Sequence, residues 1–290
     1  MNLKERLING IYGQAVSDAV GNPFEFRTKI NPLDVISYAD STDVLTISDD
    51  TQMCLYGFQG ISNMNSYGTR IEKQVEYSFT DAYIDWYYTQ HTDPLDHLEY
   101  ENGLSSFKSM FSTQAPGYTC LNALRTLTDG KPVINDSCGC GSVMRLLPLI
   151  SLYDQEKNNV DEVVRLGQIS GAITHKHIQN DLAISRYIQD ACIIVSGGTP
   201  VNRYPSVTDI NRLGDGWTAL SCVEMAIWSY HTANTFDELL QLSICHNGDS
   251  DSVAAVAGSL WGLSSKEVPD KYIQKLDALD AIKYTISKIG

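Results

Sequence analysis

The chain has 290 residues and a formal net charge of −14 at pH 7, which argues against nucleic acid or an anionic membrane as a partner because either would repel the averaged surface. Hydrophobic residues make up 43% of the chain and charged residues 19%, enough apolar material for a large folded core. No apolar run approaches the roughly 20 residues that span a bilayer, and the N-terminus is too polar for a signal peptide, so we expect a folded cytoplasmic protein without a membrane or nucleic-acid partner.

The first predicted element is a helix at the start of the chain. Apolar residues recur there every four positions: Leu3, Leu7, Ile11 and Ala15. Small residues form a second stripe in the same segment: Gly10, Gly13, Ser17 and Gly21. Because small residues let two helix backbones approach closely, this pattern predicts a buried helix with another helix packed on the stripe.

Helical periodicity also dominates the rest of the chain, whereas the alternating pattern of strands is scarce. Later helices are predicted at 49–60, 75–90, 160–174, 180–197, 216–233, 252–263 and 275–289. Long loops are predicted where Gly, Pro, Asn and Asp collect, at 26–47, 129–142 and 196–216. None of these loops has the composition of a domain linker, so we expect one compact all-α domain over residues 1–290.

Acidic residues stand at three places where predicted helices end or begin. The first is "VSDAVGNPFEFR", residues 16–27, with Asp18 near the end of the first helix and Glu25 in the turn that follows. Asp18 can belong to a functional site or simply accept hydrogen bonds from backbone amides of the next loop. Glu25 can likewise be functional or merely solvent-exposed, and its position alone leaves both alternatives open.

The other two places are helix starts, "TISDDTQM" (46–53) and "HNGDSDSVAAVAGSLWG" (246–262), where acids stand beside hydroxyls. These residues are Ser48, Asp49, Asp50, Asp249, Asp251 and Ser252. One residue at each start is explained as a helix cap, but the whole set is not. If the two starts face each other, four carboxylates collect and require cations. Oxygen donors favour Mg²⁺, Mn²⁺ or Ca²⁺ over Zn²⁺, and a bridging aspartate would allow two ions.

Five motifs resemble, in order and spacing, those of the ADP-ribosylglycohydrolases, which include ADP-ribosylarginine hydrolases and dinitrogenase reductase-activating glycohydrolases. They are "SDDTQM" (48–53), "GCGSVMRLLPL" (139–149), "THKH" (174–177), "LGDGWTA" (213–219) and "GDSDSVAAVAGSLWG" (248–262). The resemblance extends from Gly13 to about Gly262, nearly the whole chain. It implies a compact, single-domain, orthogonal helical bundle that holds two Mg²⁺ or Mn²⁺ ions and removes ADP-ribose from a modified side chain.

The resemblance also implies roles for particular residues. The implied metal ligands are Ser48, Asp49, Asp50, Asp249, Asp251 and Ser252. Glu25 is implied beside the metals and the scissile bond; either Glu25 or Asp50 serves as the base, and Asp49 joins them as a catalytic residue. The implied substrate-binding residues are Gly139, Cys140, Gly141, Ser142 and His175. A plain turn at the glycines and an ordinary core histidine at His175 remain alternatives.

Four of the positions at which the chain departs from the family pattern bear on the expected ligand. Ile178 stands where the family has a proline, and Lys176 replaces a usual glycine, which suggests an extra cation near the pyrophosphate of a bound ligand. Leu220 and Ser221 replace a pair of glutamates after the tryptophan of "LGDGWTA". This second change affects the expected recognition of the side chain that carries ADP-ribose.

Two functions of different class follow from the resemblance. One is metal-dependent hydrolysis of the N-glycosidic bond between ADP-ribose and a protein side chain, with arginine the closest match, which reverses mono-ADP-ribosylation. The other is a weakly active or inactive member that binds ADP-ribose or an ADP-ribosyltransferase toxin. The six intact ligand positions favour the enzyme, whose partners would be ADP-ribosylated protein or ADP-ribose.

Overall fold

The computed structural model describes residues 1–68, 70–91 and 103–289. The α-helices in these ranges are α1 (Leu3–Gly21), α2 (Pro32–Ser41), α3 (Asp49–Asn63), α4 (Ile71–Thr89), α5 (Tyr118–Thr128), α6 (Val160–Ala172), α7 (Ile178–Val195), α8 (Ala219–Thr232), α9 (Phe236–Ile244), α10 (Ser250–Leu263), α11 (Asp270–Ile273) and α12 (Leu279–Lys288). Within the described ranges there is no β-strand, only two isolated bridges between single residues. The predicted all-α fold is confirmed.

Helices α1 and α10 form a central antiparallel pair. Gly13 of α1 and Gly258 of α10 lie so close that a Cβ on either glycine would overlap the backbone carbonyl of the other. Gly21, at the end of α1, lies against the backbone of Asp251 at the start of α10. The small-residue stripe predicted in the first helix is therefore a packing surface, and it sets the end of α1 beside the start of α10.

We expect Gly258→Ala to lower the stability of the protein. An alanine Cβ would overlap the Gly13 carbonyl and the Ser17 hydroxyl, and forcing extra atoms into a packed core costs about 1–3 kcal/mol. In thermal unfolding this should lower Tm by several degrees. Gly10→Ala is the matched control, because its Cβ would meet only the movable side chains of Leu147 and Leu263. A Tm for Gly258→Ala at or above that of wild type would contradict the close contact of the two helices.

The prediction of a continuous loop over 26–47 is wrong, because α2 lies inside it. Asn31 caps this helix by accepting the Leu33 N–H, and Pro32 occupies the first helical position, where its fixed backbone angle suits a helix. The other two predicted loops contain only short 3₁₀ turns. Helices α5 and α9 also had no predicted counterpart.

Buried apolar side chains of the described residues form one connected core, which supports the proposal of a single domain over residues 1–290. Within the described ranges, no helix combines the length and the apolar character needed to cross a membrane.

Candidate active site

The starts of α3 and α10 lie together at the end of α1. Ser48 caps α3 by accepting the Asp50 N–H at 3.2 Å, and Asp249 caps α10 by accepting the Ser252 N–H at 3.3 Å. Two groups of three acids each have carboxylate oxygens that all lie within 4.8 Å of one another. The first group is Asp18, Asp50 and Asp251, and the second is Glu25, Asp249 and Asp251. Asp49 lines the same cleft as Glu25, Asp50, Asp249 and Asp251. We name the whole group the carboxylate cluster: Asp18, Glu25, Asp49, Asp50, Asp249 and Asp251.

Asp18 joins the end of α1 to the start of α3. Its fully buried carboxylate accepts the Ser48 N–H at 3.0 and 3.2 Å and the Thr51 N–H at 3.1 Å. Of the two roles that the sequence left open for Asp18, the structure therefore shows the binding of backbone amides. Asp18 also reaches Asp50 and Asp251, a proximity that sequence spacing could not indicate because it arises from the packing of α1 on α10.

The buried carboxylates lack positive partners. Asp49, Asp50, Asp249 and Asp251 are between 2% and 6% exposed, and none of the ion pairs in the described part of the chain includes them. One oxygen of Asp50, Oδ1, is buried and has no hydrogen-bond partner among the described residues. Because uncompensated buried charge is costly, this all-oxygen donor set fits a hard divalent cation such as Mg²⁺ or Mn²⁺.

Crowding raises the pKa of the clustered carboxyl groups. Burial and then the neighbouring Asp249 and Asp49 raise the pKa of Glu25 to about 8. Burial is also the main reason that the pKa of Asp49 rises to about 7 and that of Asp18 to about 6. A carboxyl whose pKa is raised in the folded state holds its proton longer than in the unfolded chain, so these groups reduce the stability of the cation-free fold as pH rises through this range.

The cluster borders an open cleft of about 320 Å³. The predicted catalytic and metal-binding residues that line it are Glu25, Asp49, Asp50, Asp249, Asp251 and Ser252. Ser48 is fully buried outside this lining and donates its hydroxyl proton to Asp50 Oδ2 at 3.0 Å. In the cation-free structure, this hydrogen bond holds the Asp50 carboxylate in place.

The predicted substrate loop reaches the same cleft with three of its four residues: Gly139, Cys140 and Gly141. Cys140 also contacts the cluster, because its thiol donates to Asp249 Oδ2 at 2.9 Å. Ser142 is fully buried and lies outside the lining, so the structure gives no support to its contact with a ligand. His175 lines the cleft and is 3% exposed.

The four departures from the family pattern lie away from the described cleft surface. Lys176 is solvent-exposed and is not among the residues that line the described cleft. Ile178 is the first residue of α7 and 73% exposed, and His177 caps that helix by accepting the Gln179 N–H. Since proline is tolerated at a first helical position, isoleucine there leaves the helix start unchanged.

Two aromatic residues at the cleft were not identified from the sequence as a pair. Phe26 and Trp217 stack with ring centroids 5.4 Å apart, and they are 67% and 37% exposed. Phe26 follows Glu25 directly and has a φ of 64°, a left-handed conformation that is strained for a bulky residue. The pair is distant in sequence, so only the fold brings it together.

Comparison with known proteins agrees with this fold and site. The family model described as ADP-ribosylglycohydrolase matches residues 1–192 and 183–289. A protein of Archaeoglobus fulgidus, described as uncharacterized, is 23% identical over 324 aligned residues, which cover 99% of this chain and 96% of its own. A solved structure described as an ADP-ribosylglycohydrolase-related protein complex shares the fold with a TM-score of 0.68 at 18% identity, over 99% of this chain and 98% of its own.

Fold and family match together define the class as a hydrolase of the glycohydrolase type. More particularly, the chain belongs to the ADP-ribosylglycohydrolase family, which is generally metal-dependent. The predicted resemblance is confirmed.

Proposed function

We propose that this protein hydrolyses the N-glycosidic bond between ADP-ribose and a modified arginine side chain, with two Mg²⁺ or Mn²⁺ ions as cofactors. The observation that carries the proposal is the largely buried carboxylate cluster beside the cleft, which has no cationic partner within the described ranges. Family membership supports the removal of ADP-ribose. The proposed partners are ADP-ribosylated protein and ADP-ribose.

The residues proposed to hold the cations come from the two helix starts: Ser48, Asp49, Asp50, Asp249, Asp251 and Ser252. Their side chains are buried and preorganised by helix caps, and Asp50 keeps one oxygen free of hydrogen bonds. Cations bound there would supply the positive charge that offsets the carboxylates and grips the hydroxyls of a ribose.

Glu25 is the better placed of the two proposed bases. Its carboxyl group is only partly buried and lines the cleft, so water can reach it. Asp50 is 3% exposed, and its Oδ2 already accepts the Ser48 hydroxyl. Cleavage at the anomeric carbon passes through an oxocarbenium-like state and needs a carboxylate to take a proton from the attacking water, a role that we assign to Glu25. Because the pKa of Glu25 is raised in the cation-free protein, this role requires bound cations, which would favour its ionised form.

We expect release of ADP-ribose from ADP-ribosylarginine to exceed release from ADP-ribosylserine by about tenfold or more in kcat/KM, one power of ten being 1.4 kcal/mol. The guanidinium linkage is cationic, and a net charge of −14 attracts it toward the acidic cleft. Rates on the arginine substrate should fall as salt rises, since salt screens this attraction. Free ADP-ribose is measured with matched substrates, with and without Mg²⁺. Comparable rates on both substrates would refute arginine selectivity.

The same assay decides between turnover and binding alone. Binding of ADP-ribose without its release from either substrate would identify the chain as a binding member of the family. An ADP-ribosyltransferase toxin as partner has no support from the family match or the shared fold, so it is not part of the proposal.

A further inference from the structure

Arg145 is a cation buried in the core without a carboxylate partner. Its side chain is fully buried, and none of the ion pairs within the described ranges includes it. The guanidinium lies 4.2 Å from the centroid of the Tyr83 ring and donates one short hydrogen bond, from Nη2 to the Thr174 hydroxyl at 2.6 Å. Because a buried charge without a counter-ion is costly, this short contact indicates what the arginine does.

The Thr174 hydroxyl also lies 2.8 Å from Nδ1 of His175. A guanidinium has donors only, so Thr174 accepts from Arg145 and must send its own proton elsewhere. Among the described residues, His175 Nδ1 is the other partner of this hydroxyl, and it is the one with a lone pair. If Nδ1 carried a proton and donated instead, the hydroxyl proton would be buried without an acceptor, which is strongly unfavourable.

An accepting Nδ1 places the single proton of the neutral ring on Nε2. His175 lines the cleft, and its Nε2 makes no hydrogen bond within the described part of the chain. A Cβ at Gly139 would lie 3.3 Å from Nε2, and one at Gly141 would lie 3.0 Å from the adjacent Cε1, so both glycines keep this ring edge clear. Burial and the charge of Arg145 lower the pKa of His175 to about 3, which keeps the ring neutral near pH 7.

We propose that Arg145 and Thr174 are positioning residues that fix His175 as its Nε2–H tautomer, so that the cleft presents an uncharged N–H donor to a ligand oxygen. Arg145 donates to the Thr174 hydroxyl, which in turn donates to His175 Nδ1. Consecutive hydrogen bonds of this kind strengthen one another. The identity of the ligand rests on the proposed function, which makes the acceptor a phosphate or ribose oxygen of ADP-ribose. The tautomer itself does not depend on that function.

Nitrogen-15 NMR of histidine-labelled protein tests the tautomer directly. The chain has six histidines, so loss of one signal in His175→Gln assigns the resonances. We expect wild-type His175 at pH 7 to be protonated at Nε2 and unprotonated at Nδ1. Thr174→Ser, which retains the hydroxyl, should preserve this pattern, whereas Thr174→Val, which has the same shape without the hydroxyl, should give a mixture of tautomers. A proton on Nδ1 of wild-type His175 overturns the proposal, whether or not the Thr174 variants fold.

Binding of ADP-ribose, measured by calorimetry in the presence of Mg²⁺, tests the consequence for the ligand. Thr174→Val should weaken binding about tenfold, and the conservative Thr174→Ser should restore Kd to within about twofold of wild type. Thr285→Val, which removes another buried hydroxyl on α12, is the matched control and should leave Kd unchanged.

The two parts of the inference fail in distinguishable ways. An Nε2–H signal with no binding of ADP-ribose to wild-type protein would refute the proposed function and leave the tautomer standing. Unchanged tautomer and unchanged affinity in Thr174→Val would overturn the positioning role of Thr174.

Discussion

Saturating Mg²⁺ or Mn²⁺ should raise the Tm of the wild-type protein, and Asp251→Asn should abolish most of this response. A cation at a hundred times its Kd stabilises the folded state by about 2.7 kcal/mol, or roughly 4 °C in Tm for a domain of this size. Asp251 belongs to both sets of carboxylate oxygens that lie within 4.8 Å, so its loss affects every part of the cluster. Because Asp251→Asn should no longer bind the cation, we expect this variant to lose turnover as well.

The Tm of the cation-free protein and its increase on adding Mg²⁺ should both depend on pH. Because the pKa values of Asp18, Asp49 and Glu25 are raised to about 6, 7 and 8, the cation-free protein should lose stability from pH 5 to pH 8, and added Mg²⁺ should raise Tm more at pH 8. Without cations, Asp251→Asn should match or exceed the wild-type Tm at pH 8, since asparagine is always neutral, whereas burial and the neighbouring carboxylates raise the pKa of Asp251 and disfavour its ionised form. The exposed Asp43→Asn serves as the control. A full Mg²⁺ response in Asp251→Asn would remove Asp251 from the proposed ligands.

Glu25→Gln should lower kcat by about 10²- to 10⁴-fold while Tm changes little. Glutamine keeps the shape of the side chain and removes its ability to take a proton. Glu25 also lies within 4.8 Å of Asp249 and Asp251, so the Mg²⁺-induced rise in Tm must be measured in parallel. A lower kcat with an unchanged Mg²⁺ response would separate a role as base from a role as metal ligand.

One control variant defines this result. Asp40→Asn changes an exposed acid that pairs with Lys271 and does not line the cleft, and it should retain wild-type kcat. A near-normal kcat in Glu25→Gln would instead transfer the proposed base role to Asp50.

The sequence was informative where one local pattern determined the outcome. The stripe from Gly10 to Gly21 predicted close helix packing because its spacing is itself the packing surface. It could not name α10 as the partner, since nothing local links two segments at opposite ends of the chain. Helix α2 was missed although Asn31 and Pro32 are ordinary start signals, because it is short and buries only Val35 and Ala39.

Some residues of the candidate site could be predicted from a local sequence pattern, and others could not. The acids at both helix starts were predictable because capping residues and surplus carboxylates are visible in sequence. The roles of Asp18 and Arg145 were not, because each depends on tertiary partners: the backbone of α3 for Asp18 and the Thr174 hydroxyl for Arg145. Ser142 belongs to the glycine motif, but the 3₁₀ turn at Cys140–Ser142 leaves it buried.

The contact between α1 and α10 has a consequence for biosynthesis. Helix α1 is made first, but its glycine surface finds its partner only after α10 has been synthesised. At translation rates of about 5–20 residues per second, the nascent α1 waits for roughly ten to fifty seconds with that surface uncovered. Contacts between such distant segments also slow folding. The acids of α10 join Asp18 and Glu25 only at this late step, so an incompletely synthesised chain cannot assemble the carboxylate cluster.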